Sequence, residues 1–94
     1  MKRVVYSAQA LSDLERLTDF LLAQDVAVVE ERIQSVLSAI EILAANPFIG
    51  RPIRDSLREL VISYGRTGYV ALYRVVARRV EILAIRRQRE AGYG

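Results

Sequence analysis

The run Tyr69-Val-Ala-Leu-Tyr-Arg-Val-Val76 constrains the fold more than any other part of the chain. It is made of strand-forming residues, and a period-two alternation leaves both of its sides apolar. Tyr69, Ala71, Tyr73 and Val75 share one side, Val70, Leu72 and Val76 the other, with Arg74 as the interruption. A strand that is apolar on both faces belongs in the interior of a sheet. Ala77-Arg-Arg79 separates it from a second β-type run at Val80–Arg86, and Gly65-Arg-Thr-Gly68 from an earlier one at about Glu59–Tyr64. Both connections have hairpin length, which predicts an antiparallel meander.

The first half follows a different period. Met1–Tyr6 is a short β-type segment, and Ser7 is placed to cap a helix. Leu11, Leu14, Leu17 and Leu21 form the expected apolar stripe, with Ser12, Asp13, Glu15, Arg16 and Asp19 mostly on the other side. Gln24-Asp25 breaks this helix, and Asp25 can cap a second one carrying Val29, Ile33, Val36, Leu37, Ile40 and Leu43 at helical spacing. Asn46-Pro47 stops it, because proline disfavours helical geometry in the preceding residue. Residues 46–57 read as a loop with a turn at Gly50. So short a connection makes the helices an antiparallel hairpin, and the sheet is what they can bury against. The expectation is one α+β domain over residues 1–94, in the order β-α-α-β-β-β, with a helical hairpin packed on a small antiparallel sheet.

Residue types missing from the chain remove several chemistries. There is no cysteine, hence no disulfide and no thiolate metal site. There is no histidine either, so acid–base work would fall to carboxylates, tyrosine or arginine. No metal-ligand spacing and no nucleotide-binding glycine loop occurs, so neither metal nor cofactor is expected. No apolar run approaches the roughly 18 residues of a membrane span, and no signal-type segment opens the chain. A cytoplasmic protein without a membrane partner is the expectation.

Charge is divided unevenly. Residues 1–50 hold four basic against seven acidic side chains, and residues 51–94 hold ten arginines against four carboxylates. Arginine's planar fork suits phosphate and carboxylate partners, so the second half reads as a basic face for an anionic partner or as a charged, protected sheet edge. Two clusters stand out. The tail offers Arg86 and Arg87 to grip an anion, Arg89 beside them, Glu90 as its only carboxylate, and Tyr93 as a stacking face and phenol. Glu90 reads more readily as a salt-bridge partner of Arg86 or Arg87 than as a reacting group. Arg51, Arg54 and Arg58 form the other cluster, able to face the tail if the sheet curls, or else a solvated loop. Tyr73 reads as core, whereas Tyr69 at the strand start could be exposed.

Taken together, several passages resemble the RelE/ParE superfamily of type II toxins over almost the whole chain. They are Ala10-Leu-Ser-Asp13-Leu14, Asn46-Pro47-Phe-Ile-Gly50-Arg51, Leu57-Arg58-Glu59-Leu60 and Tyr69-Val-Ala-Leu-Tyr73-Arg74-Val75, the last feeding a final strand. The resemblance implies a compact toxin neutralised by a cognate antitoxin that lays a helix or strand over its surface. RelE-like members cut messenger RNA in the ribosomal A site, and ParE-like members poison DNA gyrase. Arg89 and Tyr93 match the RelE-type arginine and tyrosine after the last strand. The arginine of the central strand falls at about Val70, the loop has no lysine, and Arg87 stands where many relatives carry histidine. Proton transfer would then rest on Glu90, Tyr93 and Asp55. The helical hairpin and the passage from Pro47 through Gly50-Arg51 to Leu57–Leu60 are the more ParE-like. The resemblance thus implies a ParE-like inhibitor of gyrase. The alternatives are a RelE-like ribosome-dependent mRNA endonuclease using Arg89, Tyr93 and Glu90, and an inactive toxin-fold binding module.

Overall fold

The computed structural model describes residues 1–62 and 68–88. Among them the chain forms β1 (Arg3–Tyr6), α1 (Ala8–Gln24), α2 (Val29–Glu41), β2 (Arg51–Arg54), β3 (Leu57–Val61), β4 (Tyr69–Val76) and β5 (Arg79–Arg87). Single 3-10 turns at Val26–Val28 and Ile42–Ala44 lead into and out of α2. The strands lie side by side in the order β1-β5-β4-β3-β2, so β4, the doubly apolar strand, is interior as its composition requires. The class is α+β, with the helical hairpin packed on the sheet.

Two features go beyond the meander. Arg51–Arg54, expected in the loop, forms the antiparallel edge strand β2, with a bulge between Pro52 and Arg54. Proline on an edge costs no ladder bond, and the bulge bends the edge away from further pairing. At the opposite edge β1 runs parallel to β5, from Arg3 opposite Arg79 to Tyr6 opposite Ile82. The two tight turns, at Asp55 and Ala77, each place a non-glycine residue at positive φ, 49° and 52°.

Ser7 starts α1 and fastens it at once. Its Oγ accepts from the Ala10 N–H at 3.0 Å and donates to the Leu83 carbonyl at 3.2 Å. Asp25 caps the following 3-10 turn by accepting from the Ala27 N–H. Glu30 and Glu31 occupy the first turn of α2, where negative charge complements the helix dipole.

The buried stripe of α1 is rotated from the leucine pattern. Ala10, Asp13, Leu17 and Leu21 are buried, whereas Leu11 is 56% exposed. Asp13, expected on the solvent side, turns inward because the sheet needs its carboxylate. β1 stops at Tyr6, leaving the outward N–H of Ile85 on β5 without a strand partner. Asp13 Oδ2 accepts it at 2.9 Å, while Oδ1 accepts from Gln9 at 2.8 Å and Arg16 at 3.0 Å. A side chain therefore continues the hydrogen bonding where the neighbouring strand ends.

The core lies between the helices and one side of the sheet, with Tyr73, Ile40, Leu43, Ile82 and Ile85 among its largest members. Tyr69 belongs to it as well and is only 5% exposed, so its place at the strand start does not open it to solvent. The Tyr73 hydroxyl accepts from the Gly50 N–H and donates to the Pro47 carbonyl, both at 2.8 Å. A Cβ at position 50 would lie 2.8 Å from Tyr73 Cζ, so Gly50 is required by close approach rather than by a turn.

Candidate functional site

Alternation along each strand sorts the sheet residues onto two faces, and the pairing register carries the sorting from strand to strand. Tyr69, Ala71, Tyr73, Val80, Ile82 and Ile85 share the core with both helices. The other face carries a row of Arg54, Leu57, Arg74 and Glu81 across β2, β3, β4 and β5. A second row contains Arg51, Glu59, Leu72 and Ala84, and a third Val61, Val70 and Arg86. Arg3 on β1 stands beside Arg79 at the opposite end.

Arg3, Arg51, Arg54, Arg74, Arg79 and Arg86 are all exposed. Among the described residues of this face, Glu59 and Glu81 are the carboxylates, and arginines hold both. Arg74 Nε and Arg79 Nε donate to the two oxygens of Glu81 at 2.7 and 2.8 Å. The Arg74 bond first, then the Arg79 bond, keeps the Glu81 carboxyl below its usual range. Glu59 is buried and pairs through Oε1 with Arg51 across the β2–β3 ladder. Its Oε2 is buried without a hydrogen-bond partner among the described residues. Leu57, Val61 and Leu72 are half-buried between the arginines, and Val70 and Ala84 are buried.

The pleat divides the arginines singled out from sequence. Arg51, Arg54 and Arg86 lie on the face away from the helices, Arg86 on β5 being separated from the two on β2 by β4 and β3. Arg58 faces the other way, opposite Tyr73. It donates to the carbonyls of Phe48 at 3.1 Å and Gly50 at 2.8 Å and lies 4.9 Å from the Phe48 ring centroid. Arg87 also turns to the helix side, its guanidinium 3.8 Å from the centroid of Phe20 on α1. A cleft of about 160 Å³ lies there, lined by Asp13, Arg16, Phe20 and Arg87 among others. Arg89, Glu90 and Tyr93 lie outside the described residues. Arg3, Arg74, Arg79 and the two glutamates were not singled out in sequence, although period-two sorting of β4 and β5 already sets Arg74, Arg79 and Glu81 apart from the core residues.

A mixed sheet thus carries the helical hairpin on one side and an arginine-bordered face on the other. The family model described as "ParE toxin of type II toxin-antitoxin system, parDE" matches residues 4–92, and the chain belongs to that family. It is 37% identical over 90 residues to Toxin RelE3 of Caulobacter vibrioides, covering 96% of this chain and 98% of the relative. Toxin RelE1 of the same organism is 28% identical over 82 residues, covering 87% of this chain and 88% of the relative. Among solved structures, "Chromosomal ParDE TA system from P. aeruginosa" matches in fold with a TM-score of 0.78 at 24% identity, over 93% of this chain and 96% of that one. The RelBE2 toxin–antitoxin complex from Mycobacterium tuberculosis gives a TM-score of 0.59 at 27% identity, over 93% and 98%.

Proposed function

We propose that this toxin is a ParE-like inhibitor of DNA gyrase, restrained by its cognate antitoxin and acting in the cytoplasm. The observation that carries the reading is the state of the proton-transfer groups among the described residues, which do not include Glu90 and Tyr93. Cutting RNA through its 2′-hydroxyl needs one group to take a proton and another to return it. Among the described residues Tyr6, Tyr69 and Tyr73 are packed into the core, and arginines hold both carboxylates of the sheet face away from the helices. Asp55 sits apart in the β2–β3 turn. A face of arginines around aliphatic side chains suits grasping a protein better than moving protons. Family membership supports the same reading.

The test is to add the chain to gyrase and supercoiled plasmid and measure linear DNA after detergent and protease. Accumulating linear DNA is the expected outcome. Its absence with a folded, antitoxin-binding preparation would sink the proposal. The second reading, a ribosome-dependent mRNA endonuclease, is favoured by the RelE names of the two Caulobacter relatives. It expects codon-spaced cuts in translated messages, lost in Arg89→Ala with ribosome binding intact.

A further inference from the structure

We propose that the cleft between α2 and the β3–β4 end of the sheet binds a small organic acid, a carboxylate carried on a ring or a short branched chain. The cleft has a volume of about 450 Å³, and Val28, Glu31, Arg32, Ser35, Ile62 and Tyr69 are among the residues that line it. A volume of that order suits a small molecule. Its floor is fixed by the sheet. The Ile62 N–H donates to the Tyr69 carbonyl at 2.8 Å, which holds the two residues side by side just where β3 ends and β4 begins. Its wall follows from helical spacing. Arg32 and Ser35 stand one turn apart on α2, and Val28 one turn before them.

The polar groups select the ligand. Tyr69 is only 5% exposed and Arg32 is half-buried. Among the described residues neither side chain has a hydrogen-bond or ion-pair partner. Sheltered donors left without partners are costly, and here two of them line one cleft. A guanidinium only donates and a phenol can donate, so the complementary group is an acceptor. A carboxylate accepts from both, and its two oxygens match the arginine fork. Ser35, exposed at the rim, offers a further donor. Glu31 is exposed as well, so water and salt screen its charge more than that of the sheltered arginine. One arginine beside one carboxylate balances a singly charged acid better than a phosphate dianion. Val28 and Ile62, both half-buried, supply apolar surface for the ligand's body.

The test titrates the methyl-labelled chain, followed by NMR, with two probes that share a ring, phenylacetate and its uncharged counterpart phenylethanol. Phenylacetate should shift the Val28 and Ile62 methyls and leave those of Val4 and Val80, on β1 and β5, unmoved. It should bind about tenfold more tightly than phenylethanol. Arg32→Gln should erase that preference and Arg32→Lys should keep most of it. Neither change should move the melting curve without ligand, since Arg32 bonds to none of the described groups. Tyr69→Phe should weaken both probes about fivefold. Val28 and Ile62 methyls that stay still in millimolar phenylacetate would overturn the proposal, as would shifts spread evenly through the core. A preference for the acid that survives in Arg32→Gln would overturn it too. Neither gyrase nor an antitoxin enters these measurements, so failure of that target and failure of this cleft are separate results.

Discussion

Tyr73 shows how one side chain can set the shape of its surroundings. Its hydroxyl closes the turn at residues 47–50, and its ring takes the space a side chain at position 50 would need. Tyr73→Phe leaves the Gly50 N–H buried without its partner and should cost about 2 kcal/mol in chemical denaturation. Gly50→Ala should cost about 1–3 kcal/mol through overpacking against the ring. Burial raises the Tyr73 phenol above its ordinary value of 10.0, outweighing the Gly50 bond and Arg58, which lower it. Burial and then Glu41 likewise raise Tyr6. A phenol that holds its proton more tightly when folded lends stability that is fully present below the unfolded value of about 10. That stability is lost as pH rises through the folded value. Denaturation midpoints should therefore fall above about pH 10, and Tyr73→Phe should flatten part of that slope.

At the scale of elements, the seam between α1 and β5 carries the sharpest expectation. Asp13→Ala removes the acceptor for Ile85 and strands a buried N–H, so it should destabilise by about 3 kcal/mol. Asp13→Asn keeps an acceptor oxygen and should recover much of the loss, which a comparison of melting curves will read. Hydrogen exchange should open β2 first, since all four of its residues are exposed and it is an edge strand, paired among the described residues with β3 alone. Early protection of β2 beyond that of β4 would contradict this.

What could be read in advance divides along the same lines. The second helix was legible because its apolar residues keep a 3.6-residue period, and β4 because it is apolar on both sides. β2 was not, since Arg-Pro-Ile-Arg has no strand signal of its own and pairs only because β3 offers an edge. Asp13 hid for a related reason. Its burial is decided by where β1 ends, a fact about a strand pair that local periodicity does not contain. For the site, sequence located the cationic half of the chain, but which arginines share a face depended on the register and on the bulge between Leu72 and Tyr73.

Across the whole molecule, charge and topology set behaviour that no single residue explains. Association with an acidic partner should weaken on the order of tenfold between low and high salt, because exposed arginines are screened beyond about 8 Å at physiological ionic strength. A salt-independent affinity would argue for contact through aliphatic side chains alone. Chain connectivity has its own effect. β1 pairs with β5, and Ser7 bonds to Leu83 across 76 positions of sequence. At a synthesis rate of about 5–20 residues per second, the first strand waits roughly 4–15 seconds for its partner. Nascent chains arrested before β5 should be cut readily by protease, and chains extruded through residue 88 should resist. Until β5 emerges, β1 has no strand to pair with, so the five-stranded sheet closes only late in synthesis.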